Sequence, residues 1–237
     1  MLDLYVTSSL RKVGKTFITA GIAATMQSLG YTTSVYKPIQ TSAIEKGGFM
    51  QSSDLAFVST IDPYVNTHFS YLFKSMEEPL VSSELENDAI DTNVIIKEYK
   101  KISATSDCTL VDGDGGILSP LAFNIQNVDL LKSLSLPALI VTNSAEDAVN
   151  STLMTIESAQ AKGVEVRGVI INDIGKECSK VRLNSVTRVI EEYSNIKVSG
   201  IIPHMEERYS PEDLITVILN GVDIESIFNV KIEKLEL

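Results

Sequence analysis

Short runs of β-branched and other apolar residues alternate with longer stretches of helical period along nearly the whole chain. Residues 4–7 precede a helical stretch at 16–29 that Gly30 ends, and 33–36 reads as a second strand. Further on, 92–102 is followed by 109–111, 128–134 by 138–142, 149–161 (ended by Gly163) by 166–171, and 181–193 by 198–202, with a last helix opened by Ser210-Pro211-Glu212. Strands that are apolar on both faces, separated by amphipathic helices, predict an α/β fold of three layers, a mainly parallel sheet with helices on both faces. No stretch of linker composition divides the 237 residues, so one domain over 1–237 is expected, long enough to bury a sizeable core. Segment 77–91 holds six acids and no base and reads as a solvated connection leading to a helix start at Asp91-Thr92. In the tail, 224–237, the alternation at 230–235 reads as an added edge strand or an interface.

Charge narrows the partners. The 20 Lys and Arg against 31 Asp and Glu leave a net charge of -11, yet residues 1–41 carry Arg11, Lys12, Lys15 and Lys37 against Asp3 alone. An acidic body repels phosphodiester backbones and anionic lipid, so nucleic-acid and membrane partners are not expected, whereas a focused basic spot holds a small anion. The first residues carry an acid where an export signal has basic ones, and no apolar run is long enough to cross a bilayer, which predicts a cytoplasmic protein. Cys108 and Cys178, the two cysteines, have no metal-type spacing and read as small buried apolar side chains.

The basic spot falls where the fold binds ligands. Ser8-Ser9-Leu10-Arg11-Lys12-Val13-Gly14-Lys15-Thr16 follows the first strand and opens a helix. Gly-Lys-Thr at that junction is the end of a Walker A loop: backbone amides and the helix N-terminus cradle phosphates, the lysine reaches their outer oxygens, and the threonine hydroxyl binds Mg²⁺. The loop's first glycine, expected at position 9, is Ser9. Asp112 in Val111-Asp112-Gly113-Asp114-Gly115-Gly116 ends a buried strand and reads as the second metal ligand, or as the corner of a glycine turn. Ser53-Asp54 reads as a helix N-cap or as a metal ligand. Lys37-Pro38 closes the second strand, and a lysine there needs an anion to offset its burial.

Taken in order, Val13-Gly14-Lys15-Thr16, Tyr36-Lys37-Pro38-Ile39, Ser53-Asp54, Val111-Asp112-Gly113-Asp114-Gly115-Gly116, Asn150-Ser151-Thr152-Leu153-Met154-Thr155, Gly168-Val169-Ile170-Ile171-Asn172 and Gly200-Ile201-Ile202-Pro203 give a chain that resembles the dethiobiotin synthetases over most of its length. The resemblance implies a P-loop NTPase fold and an ATP- and Mg²⁺-dependent homodimeric ligase of biotin synthesis, which takes CO₂ onto 7,8-diaminononanoate as a carbamate, phosphorylates it and closes a ureido ring. It implies Lys15 and Lys37 as catalytic residues and Thr16, Asp54 and Asp112 as the Mg²⁺ ligands; Arg11, a cation at a position where the family has a carbamate-holding threonine, is counted with the catalytic residues as able to grip the same anion. The nucleotide would meet Lys12, Val13, Gly14, Lys15, Thr16, Phe17, Asn172 and Pro203; the acceptor would meet Lys37, Thr41, Gly115, Asn150 and Ser151, the last two across a two-fold interface.

Several positions depart from the family pattern. Residues 8–12 stand where the family has Gly-Thr-Asp-Thr-x, which puts Arg11 in place of a threonine; Asp112 is shorter than the family's glutamate; Ser151 replaces a histidine, and Glu146-Asp147 replace Leu-Gly. Two other readings are carried. One is a related ligase with a different acceptor. The other is a nucleotide-gated dimeric switch, whose signature lysine five residues before the loop lysine is here Leu10.

Overall fold

In the computed structural model, which describes residues 2–174, 178–205 and 208–232, strand β1 (Leu2–Ser8) leads through the phosphate loop into helix α1 (Lys15–Ser28) and strand β2 (Thr33–Gln40). A hairpin of β3 (Ile44–Lys46) and β4 (Phe49–Gln51) precedes α2 (Ser53–Ile61), β5 (Asn66–Leu72), α3 (Pro79–Glu86), α4 (Thr92–Ser103) and β6 (Cys108–Gly116). A second hairpin, β7 (Pro120–Ala122) and β8 (Ile125–Gln126), is followed by α5 (Asn127–Leu134), β9 (Ala138–Thr142), α6 (Ala148–Ala161) and β10 (Val166–Ile174). The chain then runs through α7 (Lys180–Ser194), β11 (Val198–Pro203), α8 (Pro211–Gly221) and α9 (Ile224–Phe228).

Seven strands form one sheet in the order β11-β10-β9-β1-β6-β2-β5, and every ladder in it is parallel. The two-residue period of a strand divides the core in two. Leu4, Val6, Leu110, Leu139, Val141 and Ile170 face one side with α1, α2, α8 and α9. Tyr5, Val111, Ile140, Val169 and Ile171 face the other with α4, α5, α6 and α7. The expected three-layer arrangement follows directly. Helix α1 lies deepest, with every residue from Ile18 to Met26 buried between the sheet, α2 and α8.

Four expectations need correction. Segment 77–91 contains α3, whose inward face is built from Pro79, Ser82 and Ser83 rather than from a run of large apolar residues; the helix start at Asp91 is as expected, its carboxylate accepting from the Asn93 N–H. The N-cap of α2 is Ser52, not Ser53, and its hydroxyl accepts from the Leu55 N–H. Cys108 is buried but Cys178 is partly exposed. The tail opens with α9, and Ile232 packs into the core with no strand at 230–232; residues 233–237, over which the edge-strand expectation extends, lie outside the described residues. No helix among the described residues is long and apolar enough to cross a membrane.

Candidate nucleotide and acceptor site

Register brings the charged residues together. Tyr36 pairs with Val111 across β2 and β6, which places the next residues, Lys37 and Asp112, side by side, and Asp112 in turn stands opposite Val6 of β1. Tyr36 and Val111 fill one core, so Lys37 and Asp112 point to the other face, where α1 begins. Lys15 Nζ donates to Asp112 Oδ1 at 2.5 Å and Lys37 Nζ to Asp112 Oδ2 at 3.1 Å. Lys37 also meets Asp54 Oδ2 at 2.7 Å and donates to the Gly113 carbonyl at 3.2 Å. Both Lys37 and Asp112 are 1% exposed. β2 runs two residues beyond Pro38, so Lys37 sits inside the strand rather than at its end.

The three central charges respond to one another. Burial opposes the charge on Lys37, but the combined fields of Asp112, Asp114 and Asp54 hold its pKa above the usual lysine range. Burial would raise the Asp112 carboxyl, and Lys15 and Lys37 together hold it below the usual carboxylate range. For Lys15 burial wins over Asp112, and its pKa falls below that of a free lysine.

The phosphate loop shows why a serine serves at position 9. Left-handed backbone occurs at Lys12 (φ 59°) and Gly14 (φ 82°), not at Ser9, so position 9 does not require glycine. The Ser9 hydroxyl instead donates to Thr142 Oγ1 at 2.8 Å and its N–H to the Val141 carbonyl, fixing the loop to the end of β9. Gly14 is required: a Cβ there would lie 2.1 Å from Asn172 Nδ2, which donates to the Val13 carbonyl at 2.9 Å. As N-cap of α1, Gly14 has no side chain to satisfy the helix's first amides, and the first turn carries no acid. Those donors and the positive end of the helix dipole are left for an anion.

A cleft of about 410 Å³ opens over this cluster, lined by the loop from Arg11 to Thr16, by Lys37, Gln40, Thr41 and Asp54, and on the far wall by Glu77, Glu78, Asp114 and Gly115. A second cavity, of about 240 Å³, continues around Gly14 and takes in Phe17, Asn172, Pro203, His204, Met205 and Tyr209. The rings of Phe17 and Tyr209 meet edge to face at 5.6 Å. A phosphate cradle beside a small cavity with aromatic walls matches the two ends of a nucleotide. A third pocket, of about 470 Å³, shares Ser8 and Glu78 with the first and includes Ser151 and Met154 of α6. Asn150 is exposed on the same helix, where its amide reaches Met154 Sδ at 3.4 Å.

The donors present suit Mg²⁺, which takes oxygen ligands. Thr16 Oγ1 lies 3.5 Å from Asp112 Oδ2, and Asp112 and Asp54 converge on the ammonium of Lys37, so hydroxyl and carboxylate oxygens already surround one small volume of positive charge.

Sequence reasoning left out several residues that shape this site. Gln40, buried at the end of β2, accepts from the Ser52 hydroxyl at 2.5 Å and from the Asp54 N–H at 3.4 Å, fixing where Asp54 points. Asp114 accepts from the Thr41 N–H at 3.0 Å. Tyr5 donates to Asn127 Oδ1 at 3.0 Å, and the Asn127 amide donates to the carbonyls of Asp114 and Gly116, bracing the turn after Asp112 from beneath. Glu78 accepts from Arg11 across the cleft mouth. These contacts join residues well separated in the chain; Asp114, inside the glycine turn, and Gln40, between Ile39 and Thr41, lay next to a signal.

Comparison with known proteins agrees with this geometry. A family model described as an AAA domain matches residues 3–212. The ATP-dependent dethiobiotin synthetase of Bacillus licheniformis is 30% identical over 234 residues, 97% of each chain. That of Nitrosopumilus maritimus is 28% identical over 233 residues, 96% of this chain and 99% of the other. Among solved structures, the cell division ATPase MinD of Pyrococcus furiosus superposes with a TM-score of 0.59 at 15% identity, covering 97% of this chain and 99% of that one. Identity so low speaks for the P-loop NTPase fold alone. With the family model spanning most of the chain and full-length relatives carrying one name, the chain belongs to the dethiobiotin synthetase family.

Proposed function

We propose that this chain is an ATP-dependent carbon–nitrogen ligase that joins CO₂ to 7,8-diaminononanoate and closes the ring of dethiobiotin. The observation that carries the reading is the cluster of buried Lys37 and Asp112 with partly buried Lys15 and Asp54 at the start of α1, in a chain of this family. One amine takes up CO₂ as a carbamate; a carbamate oxygen attacks the terminal phosphorus of ATP and ADP leaves. The neighbouring amine, having given up its ammonium proton to solvent, then attacks the carbamate carbon, the second C–N bond forms as the nitrogen releases a further proton, and phosphate departs with the electrons of the C–O bond.

Each residue has a place in that sequence. Lys15 and the first amides of α1 hold the oxygens of the transferring phosphoryl group, and Arg11 and Lys12 lie along the same loop. Lys37 holds the carbamate, and Thr41 and Gly115 border it. Thr16, Asp54 and Asp112 would hold Mg²⁺, which when bound would supply positive charge against the phosphates. Val13, Gly14, Phe17, Asn172 and Pro203 surround the base. The acceptor's carboxylate meets the N-terminus of α6, at Asn150 and Ser151, from a second copy in a homodimer. Two features support this: no side chain caps that helix end, and the exposed Leu118 and Met154 line one pocket with Ser151. The enzyme works in the cytoplasm, where ATP is supplied.

The test is ADP release with bicarbonate and Mg²⁺, with and without 7,8-diaminononanoate. Release that depends on the diamine is expected; ATP turnover indifferent to it would remove the ligase reading.

A further inference from the structure

Glu78 is the N-cap residue of α3, yet its carboxylate caps nothing. One oxygen, Oε1, accepts from Arg11 of the phosphate loop, closing a bridge over the cleft mouth. The other, Oε2, is enclosed and meets no hydrogen-bond donor among the described residues. It lies over Gly115, where a Cβ would sit 3.1 Å from it. Glu78 also belongs to the walls of two cavities, the phosphate cleft and the pocket that holds Ile117, Leu118 and Met154. A free carboxylate oxygen therefore stands at the junction between charge chemistry and an apolar recess.

An enclosed ionised oxygen without a donor is costly. Its neighbours on this wall of the cleft, Glu77 and Asp114, are acids and supply no proton donor from their side chains. Oε1 has the Arg11 guanidinium, and what Oε2 lacks is a hydrogen-bond donor of its own. Across the cleft stand Arg11, Lys12, Lys15 and Lys37, so the cavity is dipolar, basic on the phosphate-loop wall and acidic on the wall of α3 and the β6 turn. A diamine whose first amine has become a carbamate is dipolar in the same sense, with an anion beside an ammonium group.

Resting on the ligase reading, we infer that Glu78 selects the acceptor: its Oε2 receives an N–H of the acceptor's second amino group, while Arg11 is a positioning residue that holds the carboxylate over Gly115. The recess beside it, with Ile117, Leu118 and Met154, accommodates aliphatic chain. The ligand class is a primary vicinal diamine on an alkyl chain, and an acceptor lacking the second amine leaves Glu78 unpartnered.

Glu78→Gln keeps the size of the side chain and a bond to Arg11 but removes the charge. Steady-state ADP release should show the KM for 7,8-diaminononanoate raised tenfold or more and the KM for MgATP within twofold of wild type. The simple diamine 1,2-diaminopropane should compete in the wild type and lose that competition in Glu78→Gln, which a merely structural strut does not explain. Arg11→Gln should raise the acceptor KM less, and the double variant should add little to Glu78→Gln, because both act through one carboxylate. An acceptor KM within twofold of wild type in Glu78→Gln, or parallel rises in both KM values, overturns the role of Glu78 while the ligase reading stands. No diamine-dependent ADP release from the wild type overturns both.

Discussion

Lys15 Nζ lies 2.5 Å from Asp112 Oδ1, so the cation suited to a phosphate and the acid suited to a metal are each other's partner. Under the proposed function, MgATP would exchange that one pair for two, lysine with phosphate and carboxylate with metal, leaving neither charge alone in a buried place. Separating buried opposite charges without replacement is expensive, and accepting both halves of that ligand together would avoid it.

Replacing Lys15 with Ala should therefore abolish ATP turnover, by about a thousandfold or more, since positioned charge is the main source of acceleration in phosphoryl transfer. Diamine-dependent ADP release measures it directly. Wild-type rates in that variant would sink the mechanism.

Lys37→Ala should lower kcat far more than it weakens ATP binding, because the proposed function gives Lys37 to the carbamate and the phosphate cradle to the loop and the first amides of α1. It also strips Asp112 and Asp54 of a shared cation, at a cost of up to about 3 kcal/mol, with solvent access to Asp54 reducing the loss. Mg²⁺ alone should raise the thermal midpoint of the variant more than that of the wild type; equal shifts would argue against convergence of these carboxylates on one cation.

Acid should destabilise the fold in a defined window. Burial raises the Asp112 carboxyl, the two lysines outweigh it, and its native pKa lies below that of an unfolded aspartate. Its contribution is thus present above about pH 4 and lost as pH falls through the lower native value. Lys37 has the opposite sign: its native pKa is raised, so its contribution is complete below about pH 10 and lost only on the far alkaline side. Thermal midpoints should decline below about pH 4, and Asp112→Asn should flatten that decline. An unchanged acid slope in the variant would assign it to other carboxylates.

Gly14→Ala forces a side chain into left-handed backbone, roughly 1–2 kcal/mol on its own, and drives its Cβ onto Asn172. Nucleotide affinity should fall more than tenfold, as a fluorescent ATP analogue would report. Retained affinity would mean that the loop can reshape without the Asn172–Val13 bond.

Native protein should expose one reactive thiol and unfolded protein two. Cys108 is fully buried and burial pushes its thiol pKa well up, whereas Cys178 is partly exposed. Mass spectrometry after brief alkylation counts the adducts; two in the native state would contradict the placement of Cys108.

What could be read from the chain alone follows burial. Strands β1, β6, β9 and β10 are apolar runs because both of their faces are covered, and the glycine and lysine signals at Gly14, Lys15 and Lys37 are local to a strand and a loop. β5 escaped notice because it is an edge strand, with Asn66, Thr67, His68 and Ser70 among few apolar side chains. α3 lay hidden in an acidic run because it packs through serines, and α9 is too short to show a period. At the site, Asp112 and Lys37 were visible one at a time, but their shared contact depends on the β2–β6 register. Gln40, Asn127 and Glu78 act through partners 11 to 122 positions away, which no local period or motif reveals.

The burial of α1 on all sides from Ile18 to Met26 divides labour within the cleft. The wall that grips phosphate is anchored in the middle of the molecule and tolerates little rearrangement. The opposite wall, Met76 to Pro79, runs from a surface connection into the first turn of α3, with Met76 and Glu77 largely in solvent. Changing what the enzyme accepts is therefore a matter of exchanging side chains on the outer wall, while the machinery that spends ATP stays as it is.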